Sequence, residues 1–234
     1  MHHESSILFG PLNALWHSLG FRSTIPDHVV MALLVLAISC ILFPLATRRL
    51  SRDNPGPFQH VLEQVVDALK GLLTEIIGHD AAERYLYIIG GFACFIFVSN
   101  IFGLFFFLQP PTTNTNTTFA LSLTAFGYYN LQGIRVQGIW HYIKHFWGPI
   151  WWLGPLMFPI EIIGHLARIL SLGMRLFGNM FGEHMATGIF MGMVPFIIPW
   201  PMMGLGVFGA LLQTFVFIML TSIYIGGAVA TEEH

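Results

Sequence analysis

The chain has 234 residues and a formal net charge of -2; the apolar set makes up 55% of it and charged residues only 9%, against roughly 25% charged in soluble domains. Packing that much apolar surface in water is excluded, and with no basic patch so is a nucleic acid partner. Windows from Val29 to Ala46, Tyr85 to Leu108, Trp151 to Ile160 and onward, and Met202 to Ala230 approach or exceed the ~20 residues a helix needs to cross hydrocarbon. The expected fold is an all-α integral membrane protein. It is polytopic, with about five membrane helices plus an amphipathic surface helix, in a single membrane domain over residues 1-234.

The first 28 residues form an outer segment without the charged leader, short apolar stretch and small-residue cleavage site of a signal peptide, so the N-terminus is expected to be retained. The first span, about Val29 to Ala46, is followed by Arg48, Arg49 and Arg52, which the positive-inside rule places in the cytoplasm, leaving the N-terminus outside. Asn54-Pro55-Gly56-Pro57 breaks the helix. From Phe58 to Ile77, Val61, Leu62, Val65, Val66, Leu69, Leu72, Leu73 and Ile76 recur at helical spacing among Glu63, Asp67, Lys70 and Glu75. That pattern predicts an amphipathic helix lying on the membrane or against a partner.

A second span, about Arg84 to Leu108, ends at Gln109-Pro110-Pro111. The polar outer loop Pro111 to Thr118 carries Thr and Asn side chains suited to capping the next helix, predicted from about Thr118 to Gly133. Arg135 and Lys144 mark the cytoplasmic side again. Gly138 to Gly148 reads as an interfacial linker; its His141 and His145, one turn apart, could ligate a metal. Cys40 and Cys94 lie inside apolar spans and are expected to be small core packers rather than a disulfide or metal pair.

The last two helices, about Pro159 to Met193 and Pro199 to Ala228, are too long for perpendicular crossings: the first would rise roughly 50 Å against about 30 Å of hydrocarbon. They are predicted to form a long, steeply tilted hairpin turning at Pro195 to Pro201. On the first of them Glu161, Arg168, Ser171, Arg175, Asn179 and Gly182 share a narrow sector, with His165 and Glu183 at its border. Arg175 is the residue to explain. Its guanidinium stays charged, and a charge at bilayer depth costs roughly 2.5 to 3.5 kcal/mol on insertion scales. No carboxylate of the chain lies at its level, so its counter-charge is expected from another subunit. Gly178 and Gly182, like Gly188 and Gly192, have the spacing that permits close helix approach. In the last helix Gln213 is the one strongly polar residue at mid-depth, expected level with Arg175.

These residues resemble a known family, subunit a of the F-type ATP synthase. The resemblance rests on Ser171-Leu-Gly-Met-Arg175-Leu-Phe-Gly-Asn179-Met180, on Glu161, Arg168 and Gln213, on Thr231-Glu-Glu-His234, and on Pro111-Thr-Thr-Asn114-Thr-Asn116. It implies a stator subunit, with no catalytic site or cofactor of its own, held in the cell inner (plasma) membrane with its C-terminus cytoplasmic. The implied partners are a ring of c subunits, each with a mid-membrane carboxylate, the peripheral-stalk b subunits and the bilayer. Protons would enter an outer half-channel, ride the ring and leave by an offset inner half-channel, driving ATP synthesis. Arg175 is implied to be the essential arginine between the two, favouring the ionised carboxylate and barring direct leakage.

On this resemblance Asn179, Glu183 and His184 would line the uptake path, while Glu161, His165 and Arg168 would lie near the release path and Gln213 would orient Arg175. Two departures from the family stand out: Gly206, seven residues before Gln213, where relatives often carry a titratable group, and Asn114 in place of an acid. Whether Glu183 or His184 relays protons stays open. A histidine-rich membrane metal enzyme is the alternative reading, and a passive channel or scaffold a third.

Overall fold

The computed structural model describes residues 26–47, 56–104, 109–140, 142, 154–193 and 199–229. Their long elements are helices: α1 (Asp27–Thr47), α2 (Pro57–Ile77), α3 (His79–Phe102), α4 (Thr115–Gln137), α5 (Gly154–Met193) and α6 (Pro199–Val229), with a 3-10 turn at Pro111–Thr113 before α4. Four of them, α1, α3, α5 and α6, are long and apolar enough to cross a membrane. The 23-residue α4 has the length as well, but Thr, Asn and Gln side chains dilute its apolar character. The predicted His141 and His145 pair, Arg48, Arg49, Arg52, Lys144, most of the N-terminal segment and the C-terminal Thr231 to His234 lie outside the described residues.

α6 is the axis of the bundle, packed against α2, α3, α4 and α5, while α5 leans on α4, α6 and the 3-10 turn. One core cluster joins Leu73, Ala82, Tyr85, Ile89, Tyr129, Ile218 and Ile225; a second joins Phe92, Ile96, Ala125, Leu172, Leu176 and Phe217. Leu172 and Leu176 thus anchor α5 on either side of Arg175. Elsewhere α5 and α6 expose apolar side chains, Leu166, Leu170, Met174 and Phe181 on one and Phe208, Leu211, Leu212 and Phe215 on the other. In a bilayer such faces meet lipid or another apolar chain at no hydrophobic cost.

Several boundaries differ from the sequence expectation for local reasons. α3 stops at Phe102, not Leu108: the Gly103 N–H bonds the Asn100 carbonyl and the Leu104 N–H the Ile101 carbonyl, and Pro110 comes within 3.0 Å of where a Gly103 Cβ would stand. α4 starts earlier than Thr118 because the Asn114 side chain accepts from the Asn116 N–H, which fixes the cap one turn upstream. It ends at Gly138, whose φ of 79° is open to glycine and costly for other residues. α5 begins at Gly154 with Pro159 inside it; at 40 residues it rises about 60 Å, lengthening the mismatch with the bilayer. Both cysteines are free, but Cys40 is exposed on α1 rather than packed in a core.

The glycine expectation also shifts. Gly178, Gly182, Gly188 and Gly192 have nothing within 4 Å of an added Cβ, whereas Gly173 would touch Ser122 Oγ at 3.1 Å and Gly133 the Ala228 carbonyl at 3.1 Å. Close approach within the chain therefore occurs at α4 against α5 and α6. The four repeating glycines of α5 lie where no described residue of this chain crowds them.

Candidate functional site

Side-chain packing fixes the register of the α5–α6 pair. The Glu183 carboxylate lies over Gly206 and Gly209, with the Asn179 amide 3.8 Å from where a Gly209 Cβ would be. At the other end Arg168 stacks its guanidinium 5.3 Å above the Tyr224 ring. One turn from Asn179 toward the N-terminus of α5 and one turn from Gly209 toward the C-terminus of α6 lie Arg175 and Gln213, at about the same level along the pair.

Arg175 sits at the edge between the buried strip Leu172, Gly173, Leu176 and Met180 and the exposed strip Ser171, Met174, Gly178 and Phe181. Its Nη2 reaches the Ser171 hydroxyl at 3.5 Å, at the outer limit of a hydrogen bond. Among the described residues no carboxylate pairs with it. A guanidinium offers five donors in a planar fork, so most of its bonding capacity is unused by the described residues.

Gln213 is buried at 5% exposure, and its Nε2 has no hydrogen-bond partner among the described residues. The buried hydroxyls beside it behave differently. Thr214, Thr221 and Ser222 each bond the carbonyl one turn back, at 2.7 to 2.8 Å, which satisfies them within their own helix. The Gln213 amide nitrogen is thus a buried donor of α6 left without a partner among the described residues. No direct bond joins it to Arg175, so the two share a level without a contact.

Glu183 and His184, rivals on sequence grounds, are both half-buried but occupy different places. Glu183 turns onto the glycines of α6, on the side that Asn179 also approaches. Asn179 itself is exposed.

The other end of the polar stripe closes into a cavity of about 250 Å³ whose walls include Glu161, His165, Arg168, Tyr129, Tyr142 and Tyr224. That volume holds several waters at roughly 30 Å³ each. His165 is buried at 8% exposure, with Nδ1 2.7 Å from the Tyr129 hydroxyl and Nε2 3.6 Å from Glu161 Oε1. When a neutral His165 accepts the Tyr129 O–H at Nδ1, its ring proton lies on Nε2, toward Glu161. The gap of 3.6 Å is too long for a direct hydrogen bond and suits a bridging water. Tyr142, which folds back across Gly133, donates to Asn130 Oδ1 at 2.6 Å; burial pushes its phenol up to about 12, so it stays a neutral donor.

Glu161, His165 and Arg168, grouped on sequence grounds, line one cavity; sequence reasoning missed Tyr129, Asn130, Tyr142 and Tyr224. A signal existed: Ser122, Ala125, Tyr129 and Gly133 form one buried face of α4, where a lone phenol among small residues has to find a polar partner. Among the described residues no three His, Cys, Asp or Glu side chains could hold a metal ion, and the proposed His141 and His145 ligands fall outside them.

Comparison with known proteins places these features in a family context. A family model described as ATP synthase A chain matches residues 29–226. "ATP synthase subunit a 1" of Syntrophotalea carbinolica is 46% identical over 207 residues, covering 88% of this chain and 87% of that protein. "ATP synthase subunit a" of Trichlorobacter lovleyi is 42% identical over 220 residues, or 94% of each. The Nitratiruptor sp. protein of the same name is 40% identical over 208 residues, 89% of this chain and 90% of its own length.

Proposed function

The chain belongs to the ATP synthase A chain family, and from that premise we propose that Arg175 is the electrostatic switch of its proton path. As a member of that family it is the proton-translocating subunit of the ATP synthase membrane sector, with helices that span a membrane. The finer reading adds that it is a non-catalytic stator facing a ring of c subunits and joined to peripheral-stalk b subunits. The membrane would be the cell inner membrane, with the N-terminus outside and the C-terminus cytoplasmic.

One observation carries the reading: a permanent cation midway along a 40-residue apolar helix, without a carboxylate partner among the described residues, beside an exposed apolar face. A charge so expensive at that depth is stabilised by a partner or a water-filled cavity. A rotating ring carboxylate supplies the first. As it arrives, the guanidinium favours its ionised form and releases its proton; the same fixed charge repels a proton crossing directly. Lysine, which burial can neutralise, would hold that barrier less firmly.

The rest of the stripe divides into two offset aqueous paths. Glu183, with Asn179 and His184, lies on the uptake side, where the carboxylate against α6 is the better placed relay. The cavity of Glu161, His165 and Arg168 lies on the release side, and a Tyr129–His165–Glu161 sequence spans it. Gln213 presents its amide at the level where ring carboxylate and guanidinium meet. Each proton moved through the membrane potential yields about 2.3 kcal/mol per 100 mV.

The test is Arg175→Ala in the assembled complex, read as ATP-driven acidification of inverted vesicles. Coupled pumping is expected to vanish while the complex still assembles; pumping at the parent rate would refute the switch.

A further inference from the structure

Most glycines of α6 and its neighbours have open space where a side chain would grow; Gly206 does not. A Cβ there would run into Glu183 Oε1, with Leu104 Cδ2 at 2.6 Å and Glu183 Cδ at 3.3 Å. One turn along, a Cβ on Gly209 would lie 3.2 Å from Glu183 Oε2. The two oxygens of one carboxylate therefore straddle two glycines of the facing helix. Gly204, on the same helix, has nothing within 4 Å.

Close helix packing is the simpler account of paired small residues, and Gly133 illustrates it, since there the neighbour is the Ala228 carbonyl and Cβ. At Gly206 the neighbours are the ends of two side chains, and the nearer is a carboxylate. Glycine in a helix interior costs roughly 0.8 to 1 kcal/mol against alanine, so an alanine at 206 would be favoured by the helix itself. What opposes it is the Glu183 head group.

We propose that Gly206, assisted by Gly209, is a positioning residue: it forms a notch in α6 that seats the Glu183 carboxylate, with the Asn179 amide alongside, two turns from Arg175. Gly206 is thus more than a missing titratable group. The carboxylate reaches the surface of α6 from α5, and the absent side chain is the condition for its doing so. This rests on the proton-uptake role given to Glu183 above.

The experiment compares ATP-driven acidification, and its pH profile, in inverted vesicles carrying Gly206→Ala, Gly204→Ala, Glu183→Asp and the double variant Gly206→Ala/Glu183→Asp. A Cβ at 206 displaces the carboxylate by about 1 Å or more, and misplacement on that scale can cost up to about a hundredfold. Gly206→Ala is expected to slow pumping at least about tenfold with an altered pH profile, and Gly204→Ala to stay within about twofold. Aspartate draws the carboxylate back by one methylene, so the double variant should recover to the rate and profile of Glu183→Asp alone. Recovery cannot come from Leu104, which is unchanged. Parent-rate pumping in Gly206→Ala, or a double variant no better than Gly206→Ala, overturns the notch. Glu183→Gln pumping at the parent rate and pH profile would instead remove the uptake role on which the notch depends, separating the two failures.

Discussion

Tyr129→Phe tests whether the phenol of α4 belongs to the proton path or only to the core. The ring itself is held by stacking on His165 at 5.9 Å and 15°, by an edge contact with Phe126 at 5.3 Å, and by Tyr224 at 5.9 Å. Phenylalanine keeps all of these, so the perturbation is one oxygen. What it removes is the 2.7 Å bond to His165 Nδ1, together with the weaker interactions of the phenol oxygen with Arg168 and Asn130. Hydrogen bonds between membrane helices average about 0.6 kcal/mol, and stranding a buried acceptor costs about 1 to 3 kcal/mol. The adjoining cavity of about 250 Å³ lets a water reach the vicinity, which favours the low end. A loss of about 1 kcal/mol corresponds to roughly fivefold. ATP-driven acidification in Tyr129→Phe vesicles should therefore fall about three- to fivefold, with the complex intact. If the phenol acts by holding the imidazole in its relaying tautomer, a double-mutant cycle with His165→Gln will be non-additive: Tyr129→Phe will add nothing once His165 is gone. Additive losses, or a parent rate in the single variant, would refute the relay and leave Tyr129 as a packing residue.

Other predictions follow from the same contacts. Gly133→Ala puts a Cβ 2.7 Å from Tyr142 Cε2 and 3.1 Å from the Ala228 carbonyl; Tyr142 is tied to Asn130 and cannot swing freely. Overpacking of this kind costs about 1 to 3 kcal/mol, so the purified complex should lose thermal stability, whereas Gly127→Ala, with open space around it, should not. Asn114→Ala removes the cap of α4 at a cost of about 1 kcal/mol, expected as faster amide exchange at Asn116 to Thr118; unchanged protection would refute the cap. The Tyr142 phenol, pushed up to about 12 by burial from about 10 when unfolded, holds its proton in the folded state where the unfolded chain loses it. Its contribution to stability is complete below about pH 10 and is lost as pH rises through about 12. Tyrosinate absorbance of the parent minus Tyr142→Phe should show that residue ionising near the upper value, and an amplitude near pH 10 would contradict the burial.

Much of the fold was legible because a bilayer punishes unsatisfied backbone and charge so heavily that long apolar runs have one outcome. The helix positions and the amphipathic α2 follow from hydropathy and period. Boundaries such as Phe102 depend on Gly103 and Pro110 meeting, which no periodicity encodes. The cavity was half legible. Glu161, His165 and Arg168 share a helix and so can be read from spacing, but Tyr129, Tyr142 and Tyr224 come to it from elsewhere in the chain. Glycine was the most misleading residue. The repeats at 178 and 182 and at 188 and 192 looked like contacts and are open, while Gly206, read as a departure, lies against Glu183.

The distribution of polar partners along α5 bears on how its three stations differ. Glu161 and His165 stand beside phenols and water-sized space. At Glu183 the neighbours are backbone glycines that leave room for a carboxylate. At Arg175 between them, the described residues offer a single long contact to Ser171, and Leu172 and Leu176 pin the helix into the core on both sides. A guanidinium meant to lock the fold would be paired, since an uncompensated buried charge is strongly destabilising. One held rigidly and left unpaired is suited to a counter-charge that comes and goes, and a permanent ion pair within the chain would compete with it. On the proposed function the sparse bonding of Arg175 is therefore a requirement, and supplying it with a carboxylate from its own helix, as in Ser171→Glu, should lower coupled pumping in inverted vesicles without preventing assembly. Parent-rate pumping in that variant would show that the guanidinium need not be free.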